Sequence, residues 1–228
     1  MPRILVITST TGQKAISHPH QLTRDDFAKG PGHVVSREKA LGTVLKPAGE
    51  LYTGEQHQRL NRGVVAARAA GADVDFWILS AGYGLVPAHQ PLAPYECTFA
   101  TMGRRQAKQW AEQIGVPNAF RSLASRSYDC AIVLLGDCYL QACAIASDVC
   151  FTGPTLILAG EGAAAKLPRL ANLRVQPLRV EDTRRFRCGL IGLKGEVAGR
   201  LLPLLATEGS LIRHVTDPSS DLLSRLVS

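Results

Sequence analysis

The sequence predicts an α/β protein, a three-layer fold with a mostly parallel sheet of four to five strands and helices on both faces. Two observations carry the prediction. Aliphatic, β-branched runs at 3–8, 76–79, 129–135 and 155–159 are apolar throughout instead of alternating, as strands covered on both faces are. Each run ends in a turn rich in glycine or hydroxyl residues, and helical patterns lie between the runs, a rhythm that builds parallel sheets through right-handed crossovers. Such crossovers put all the turns on one edge of the sheet, where ligands of open α/β sheets bind. With 228 residues and 46% hydrophobic content there is ample material for a core, read as one domain over 1–206 with a peripheral segment over 207–228.

The first strand is Arg3-Ile-Leu-Val-Ile-Thr8. Ser9, Thr10, Thr11, Gly12 and Lys14 follow in a turn whose N–H groups and ammonium can gather round an anion. The turn lacks the spacing of a Walker loop or of G-x-G-x-x-G, and an ordinary polar turn has the same composition. His18 and His20 lie one residue apart without a third nearby ligand, so neither a metal nor another cofactor is expected. A short helix is predicted over 35–45, capped by Ser36 and ended by Pro47 and Gly49. Thr53-Gly-Glu-Gln56 has the form of a capping box and predicts a helix over 54–70, closed by Gly71, with Leu60, Val64 and Ala67 inward. Tyr52, just ahead of that cap, is placed either to reach a crevice or to act as a hydrophobic staple.

The stretch 76–99 carries the densest chemistry. A strand, Phe76-Trp-Ile-Leu79, stops at Ser80-Ala-Gly82-Tyr83-Gly84, where two glycines permit a sharp turn. Pro87, Pro91 and Pro94 then predict a stiff extended loop that is neither helix nor central strand. On this stretch hang Tyr83, His89, Tyr95, Glu96 and Thr98. The helix over 103–114 buries Ala107, Trp110 and Ala111 and sets Arg104, Arg105 and Lys108 on its polar side, either a solvated face or a surface for phosphates.

A third strand ends at Gly136-Asp137 and a fourth at Gly160-Glu161, with a fifth expected over 174–178. Residues 174–200 hold seven cations, among them Arg184, Arg185, Arg187 and Lys194, against three acids. Leu190, Leu193, Val197, Leu201 and Leu204 form a helical stripe. Gly192, Gly195 and Gly199 interrupt that helix at about 1 kcal/mol each relative to alanine, so a reason for them is expected. Close packing against the sheet is one, and a phosphate or base passing beside Lys194 and Gly195 is the other.

The net charge of +7 and the pI of about 9.3 favour an anionic partner, whether nucleic acid or nucleotide. No apolar run reaches the roughly 18 residues of a membrane span, and the amino end lacks a signal-peptide layout, which predicts a cytoplasmic protein without a membrane partner. Six scattered cysteines without a C-x-x-C pair suit reduced thiols. The oligomeric state is not encoded in any pattern found.

The segments Tyr52-Thr53-Gly54, Leu79-Ser-Ala-Gly-Tyr-Gly84 and Pro94-Tyr95 resemble, in the same order, motifs of the YaaA family of peroxide-stress proteins. The region is also similar to small domains distantly related to the uracil-DNA glycosylase superfamily. The resemblance covers residues 50–100 and departs at 9–14, where that family has a proline-alanine-lysine turn. It implies an α/β fold, DNA binding (DNA before RNA), and base-excision chemistry. Two functional classes follow. In the first, an enzyme binds a nucleotide along the sheet edge with Tyr83 or Tyr95 stacked on its base. Lys14 and Lys194 neutralise phosphate, and Glu96 or Asp137 assists cleavage of an N-glycosidic bond. In the second, a non-enzymatic DNA-binding stress-response protein uses Arg104, Arg105, Lys108, Arg184, Arg185 and Arg187 to track the backbone. A third possibility is nucleophilic catalysis by Cys97 with His89.

Overall fold

Ile4 to Ile7 are no more than 1% exposed, because strand β1 (Arg3–Ser9) lies in the middle of the sheet with a parallel partner on each side. The structure, a computed structural model, describes residues 1–42 and 44–227. In chain order the elements that build the site are β1, α1 (Pro31–Leu41), α2 (Glu55–Ala69), β2 (Asp73–Ser80), β3 (Gly84–Pro87), α3 (Arg104–Gln113), α4 (Val116–Ala124), β4 (Cys130–Leu134), α5 (Asp137–Ala142), β5 (Thr155–Gly160), β6 (Leu173–Leu178) and α6 (Leu190–Thr207). The six strands run in the order β6-β5-β4-β1-β2-β3, all parallel except β3, which returns antiparallel to β2. Helices cover the sheet, with α2 and α6 packed together as one unit and α3 packed on α4 and α5 as another.

The sixth strand is a correction to the expected extended loop. Gly84, at φ +72, reverses the chain, and Leu85 and Val86 pair with Leu79 and Ile78 before Pro87 ends the ladder. An edge strand tolerates a terminal proline because that residue has no donor to offer the ladder. Helix α1 begins at Pro31, four residues ahead of the expected start, and Ser36 lies inside it; Val44 and Leu45 fall beyond its end. Proline suits the first turn of a helix, where its missing N–H has no partner to lose.

The capping box at Thr53 does not form. Gly54 is the N-cap of α2, and the Gln56 side chain donates instead to the Thr8 hydroxyl at 3.2 Å and to the Leu134 carbonyl at 3.3 Å, tying β1 to β4. The glycines of α6 serve helix packing, although against α2 and not against the sheet. A Cβ on Gly195 would lie 2.1 Å from the Gln56 carbonyl oxygen, and one on Gly63 would lie 2.4 Å from the Gly199 backbone. Leu193, Val197 and Leu201 are buried as expected, but Leu190, at the start of α6, is 57% exposed. The expected peripheral segment, described over 207–227, is stitched to the body: Leu211, Val215 and Leu222 are fully buried, and Arg174 donates to the carbonyls of Asp217 and Ser220.

Candidate functional site

The chain leaves β1 towards β2 on one side and later returns on the other side through β4 to β5, so the direction of winding reverses between β1 and β4. Crevices of doubly wound sheets open at this point, beyond the carboxyl ends of the two strands. Ser9 and Thr10 leave β1 there, and Leu135-Gly136-Asp137 leave β4. Two helices hold that edge. Gln56 of α2 takes the Leu134 carbonyl, and the Lys194 ammonium of α6 donates to the Leu135 carbonyl at 2.6 Å. Burial lowers the pKa of Lys194, opposed by the nearby Asp137 carboxylate. Lys194 therefore fixes the β4–α5 turn, and Gly195 faces α2.

A set of hydroxyl groups lines the reversal. Tyr52 and Tyr95 share a hydrogen bond at 2.7 Å, and the Ser80 hydroxyl donates to Tyr95 at 2.7 Å while accepting the N–H groups of Gly82 and Tyr83. Beside them the Tyr139 hydroxyl meets Thr10 at 2.9 Å and Thr98 at 3.4 Å. Burial raises the pKa of Tyr52, Tyr95 and Tyr139, so all three stay protonated near neutrality. The turn 9–14 is held from the side: Gly54 donates its N–H to the Thr11 hydroxyl, Thr53 donates to the Gln13 carbonyl, and Lys14 pairs with Tyr52. A side chain at Gly54 would meet Thr11 at 2.5 Å, which is why the motif needs glycine there.

Lys14 lies half-buried with its Nζ 4.8 Å from the centre of the Tyr95 ring, a cation–π contact. Its pKa is lowered by burial, opposed by the nearby Glu96 carboxylate. Glu96, Cys97, Thr98, Thr101, Met102 and Arg24 line a pocket of about 220 Å³. Cys97 donates its thiol to the Ala81 carbonyl at 3.3 Å, and burial pushes it up to about 11, so it is a thiol and not a thiolate at neutral pH. A carboxylate that shares its pocket with Arg24, Thr98 and Thr101, with the Lys14 ammonium near enough to feel its charge, can hold a polar ring or sugar while an anionic group pairs with a cation.

Several expected site residues lie elsewhere. Tyr95 is 1% exposed, and Tyr83 turns its hydroxyl to Glu38 at 2.8 Å and packs edge-on against Phe27 and Tyr95, so neither ring lines the pocket that holds Glu96. Asp137 lines a different cavity, with Leu140, Ala144 and Lys166, although it stands two residues from Tyr139 just as Glu96 stands two from Thr98. Glu161 pairs with Arg179. His89 lines a cavity between α2 and β2 and not the one that holds Cys97. Arg104, Arg105 and Lys108 are exposed on the first turns of α3, next in chain to Thr101 and Met102 of the pocket. Arg184, Arg185 and Arg187 are exposed beyond β6, where Arg185 contacts Asp182 and Ser224. Among the described residues no group of three His, Cys, Asp or Glu side chains is arranged to hold a metal ion. None of their helices is long and apolar enough to cross a membrane.

Sequence reasoning missed Tyr139, Gln56 as a strand tie, and Arg24. Tyr139 had a signal, since it sits one turn into a helix that starts at a strand-end Gly-Asp. Arg24 had none, because 22 to 23 joins the site only by pairing with 95 to 96.

Fold and pocket together define an open, doubly wound α/β protein with a polar pocket at the carboxyl edge of its sheet. A family model described as a family of unknown function, DUF6884, matches residues 34–164, and the chain belongs to that family. No curated protein and no solved structure matches the chain.

Proposed function

We propose that the protein binds a nucleotide unit at the rim pocket and hydrolyses its N-glycosidic bond. The observation that carries this reading is one carboxylate, Glu96, that shares a pocket with Arg24 and the hydroxyls of Thr98 and Thr101, with Lys14 near enough for its charge to couple to Glu96. Arg24 and Lys14 bind the phosphate. The hydroxyls of Thr98, Thr101 and Tyr139 orient the sugar or the base edge. Glu96 stabilises the oxocarbenium-like centre as the bond to the base breaks, and activates the water that adds to it. A pocket of about 220 Å³ suits one ring better than a whole dinucleotide. Asp137, in its own cavity, has a supporting part through the α5 turn that presents Tyr139. The resemblance of 50–100 to YaaA and to glycosylase-like domains agrees with this chemistry.

Base release from nucleosides, nucleoside 5′-monophosphates and oligonucleotides, followed by chromatography, tests the proposal. Glu96→Gln should lower the rate by about a hundredfold or more, in the range of general acid–base contributions, while Asp137→Asn costs less. A Glu96→Gln protein that releases base at the wild-type rate refutes the assignment. The second reading, a DNA-binding protein without chemistry, is favoured by one observation, the exposed Arg104, Arg105 and Lys108 next to the pocket. It requires DNA affinity that falls linearly on logarithmic axes as salt rises, with a slope reduced by their removal.

A further inference from the structure

We propose that a second pocket, between α1 and the turn joining α3 to α4, is a binding site for a small organic amine, with the ammonium on Glu38 and an apolar body along Val34, Val35 and Ile114. The pocket encloses about 610 Å³, within the range of small-molecule sites. Its lining is largely aliphatic and aromatic, and among the described residues its only formally charged one is Glu38. In a chain of net charge +7 that is an exception to the general surface, and it selects for a cation.

Glu38 is held in place. The Tyr83 hydroxyl donates to its Oε1 at 2.8 Å and accepts the N–H of Ala93 at 3.2 Å, so one carboxylate oxygen is aimed and the tyrosine has no donor left for a ligand. Arg37, the neighbouring cation on α1, is engaged by Asp26 at 3.4 Å. Among the described residues Glu38 has no ion-pair partner; a carboxylate so placed against apolar walls is unfavourable, and an alkylammonium restores the charge balance while its carbon skeleton covers the walls. Gln90 and Gln113 in the lining supply amide oxygens for the remaining ammonium protons. Val35, 48% exposed on α1, is an apolar side chain left uncovered where that skeleton would lie.

The inner wall separates this pocket from the rim. Gly82 lies so near Phe27 that a Cβ would meet its ring at 2.5 Å, and the rings of Phe27 and Tyr83 both stand edge-on to Tyr95. The site therefore stands whether or not the rim pocket has the activity proposed above.

The test uses the full chain with three probes of one skeleton: 2-phenylethylamine, 2-phenylethanol and phenylacetate. Binding is read by calorimetry and by the rise in melting temperature, which follows mass action for a ligand of the folded state. The amine should bind at least tenfold more tightly than the alcohol, and the acid should not bind. Glu38→Gln should weaken the amine at least tenfold, and Val35→Trp, which fills the pocket without touching the Tyr83–Glu38 bond, should abolish its binding. Glu96→Gln should leave it unchanged. Equal binding of amine and acid, no binding of the amine, or an amine indifferent to both variants overturns the proposal. If Glu38→Gln fails to fold, Val35→Trp decides alone.

Discussion

Gly195→Ala tests the claim that the α2–α6 contact sets the geometry of the rim. A Cβ there would sit 2.1 Å from the Gln56 carbonyl oxygen and 2.8 Å from its carbon, whereas an ordinary contact begins at 3.4 Å. The obstacle is backbone, so no rotamer change relieves it and the helices must separate by about 1 Å. Overpacking of this kind costs roughly 1–3 kcal/mol, and a rigid obstacle belongs at or beyond the upper end. Replacing a helical glycine by alanine returns about 1 kcal/mol. The net loss is about 2 kcal/mol, a fall in Tm of about 4–8 °C for a chain of this size. Urea or thermal unfolding measures it, with Gly162→Ala as the control, since a Cβ there meets nothing within 4 Å and should leave stability unchanged or slightly raised. Separation also pulls Gln56 and Lys194 from the Leu134 and Leu135 carbonyls, so the variant should bind rim ligands more weakly. A Gly195→Ala protein as stable as the wild type would refute the packing argument.

His57 is fully buried, its Nε2 hydrogen-bonded to the Gly49 carbonyl at 2.8 Å and its Nδ1 without a partner among the described residues, and burial lowers its pKa. A lowered imidazole contributes stability that is complete above the unfolded value of about 6.5 and is lost as pH falls through the folded one, so acid unfolding monitored from pH 7 to 4 should be shallower in His57→Gln. Asp26 is held down at about 2, first by its hydrogen bond to His33 and then by the Thr23 N–H. Its contribution is present above pH 4 and disappears towards pH 2, so Asp26→Asn should be less stable than the wild type at pH 6, with the gap closing over that window. Tyr139→Phe leaves the Thr10 and Thr98 hydroxyls without their shared partner and should cost about 1 kcal/mol in denaturant unfolding; an unchanged midpoint would place water, not Tyr139, as their partner.

Local sequence carried the architecture. Apolar runs such as Ile4 to Ile7 and Cys130 to Leu134 announce strands because burial on both faces leaves no room for alternation, and Ala107, Trp110 and Ala111 announce a helix because they share a face at its period. The motif Tyr52-Thr53-Gly54 was visible as well, although not its purpose, which is contact with Thr11 forty-odd residues earlier. Side-chain direction was not visible. Tyr83 and Tyr95 look like stacking platforms on a proline-rich loop, yet the antiparallel return of β3 and the pairing of 95–96 with 22–23 turn both rings inward.

The sequence by itself therefore determined the fold class, the parallel strands and the rim on which polar turns collect, because hydrophobic period and turn chemistry are properties of neighbours along the chain. Only the tertiary structure decided which polar groups share a pocket. It brought Arg24 to Glu96, moved Asp137 to another wall, and assigned Lys194 and Gly195 to holding helix and turn together, since those pairings depend on crossovers and helix contacts between residues far apart in the chain.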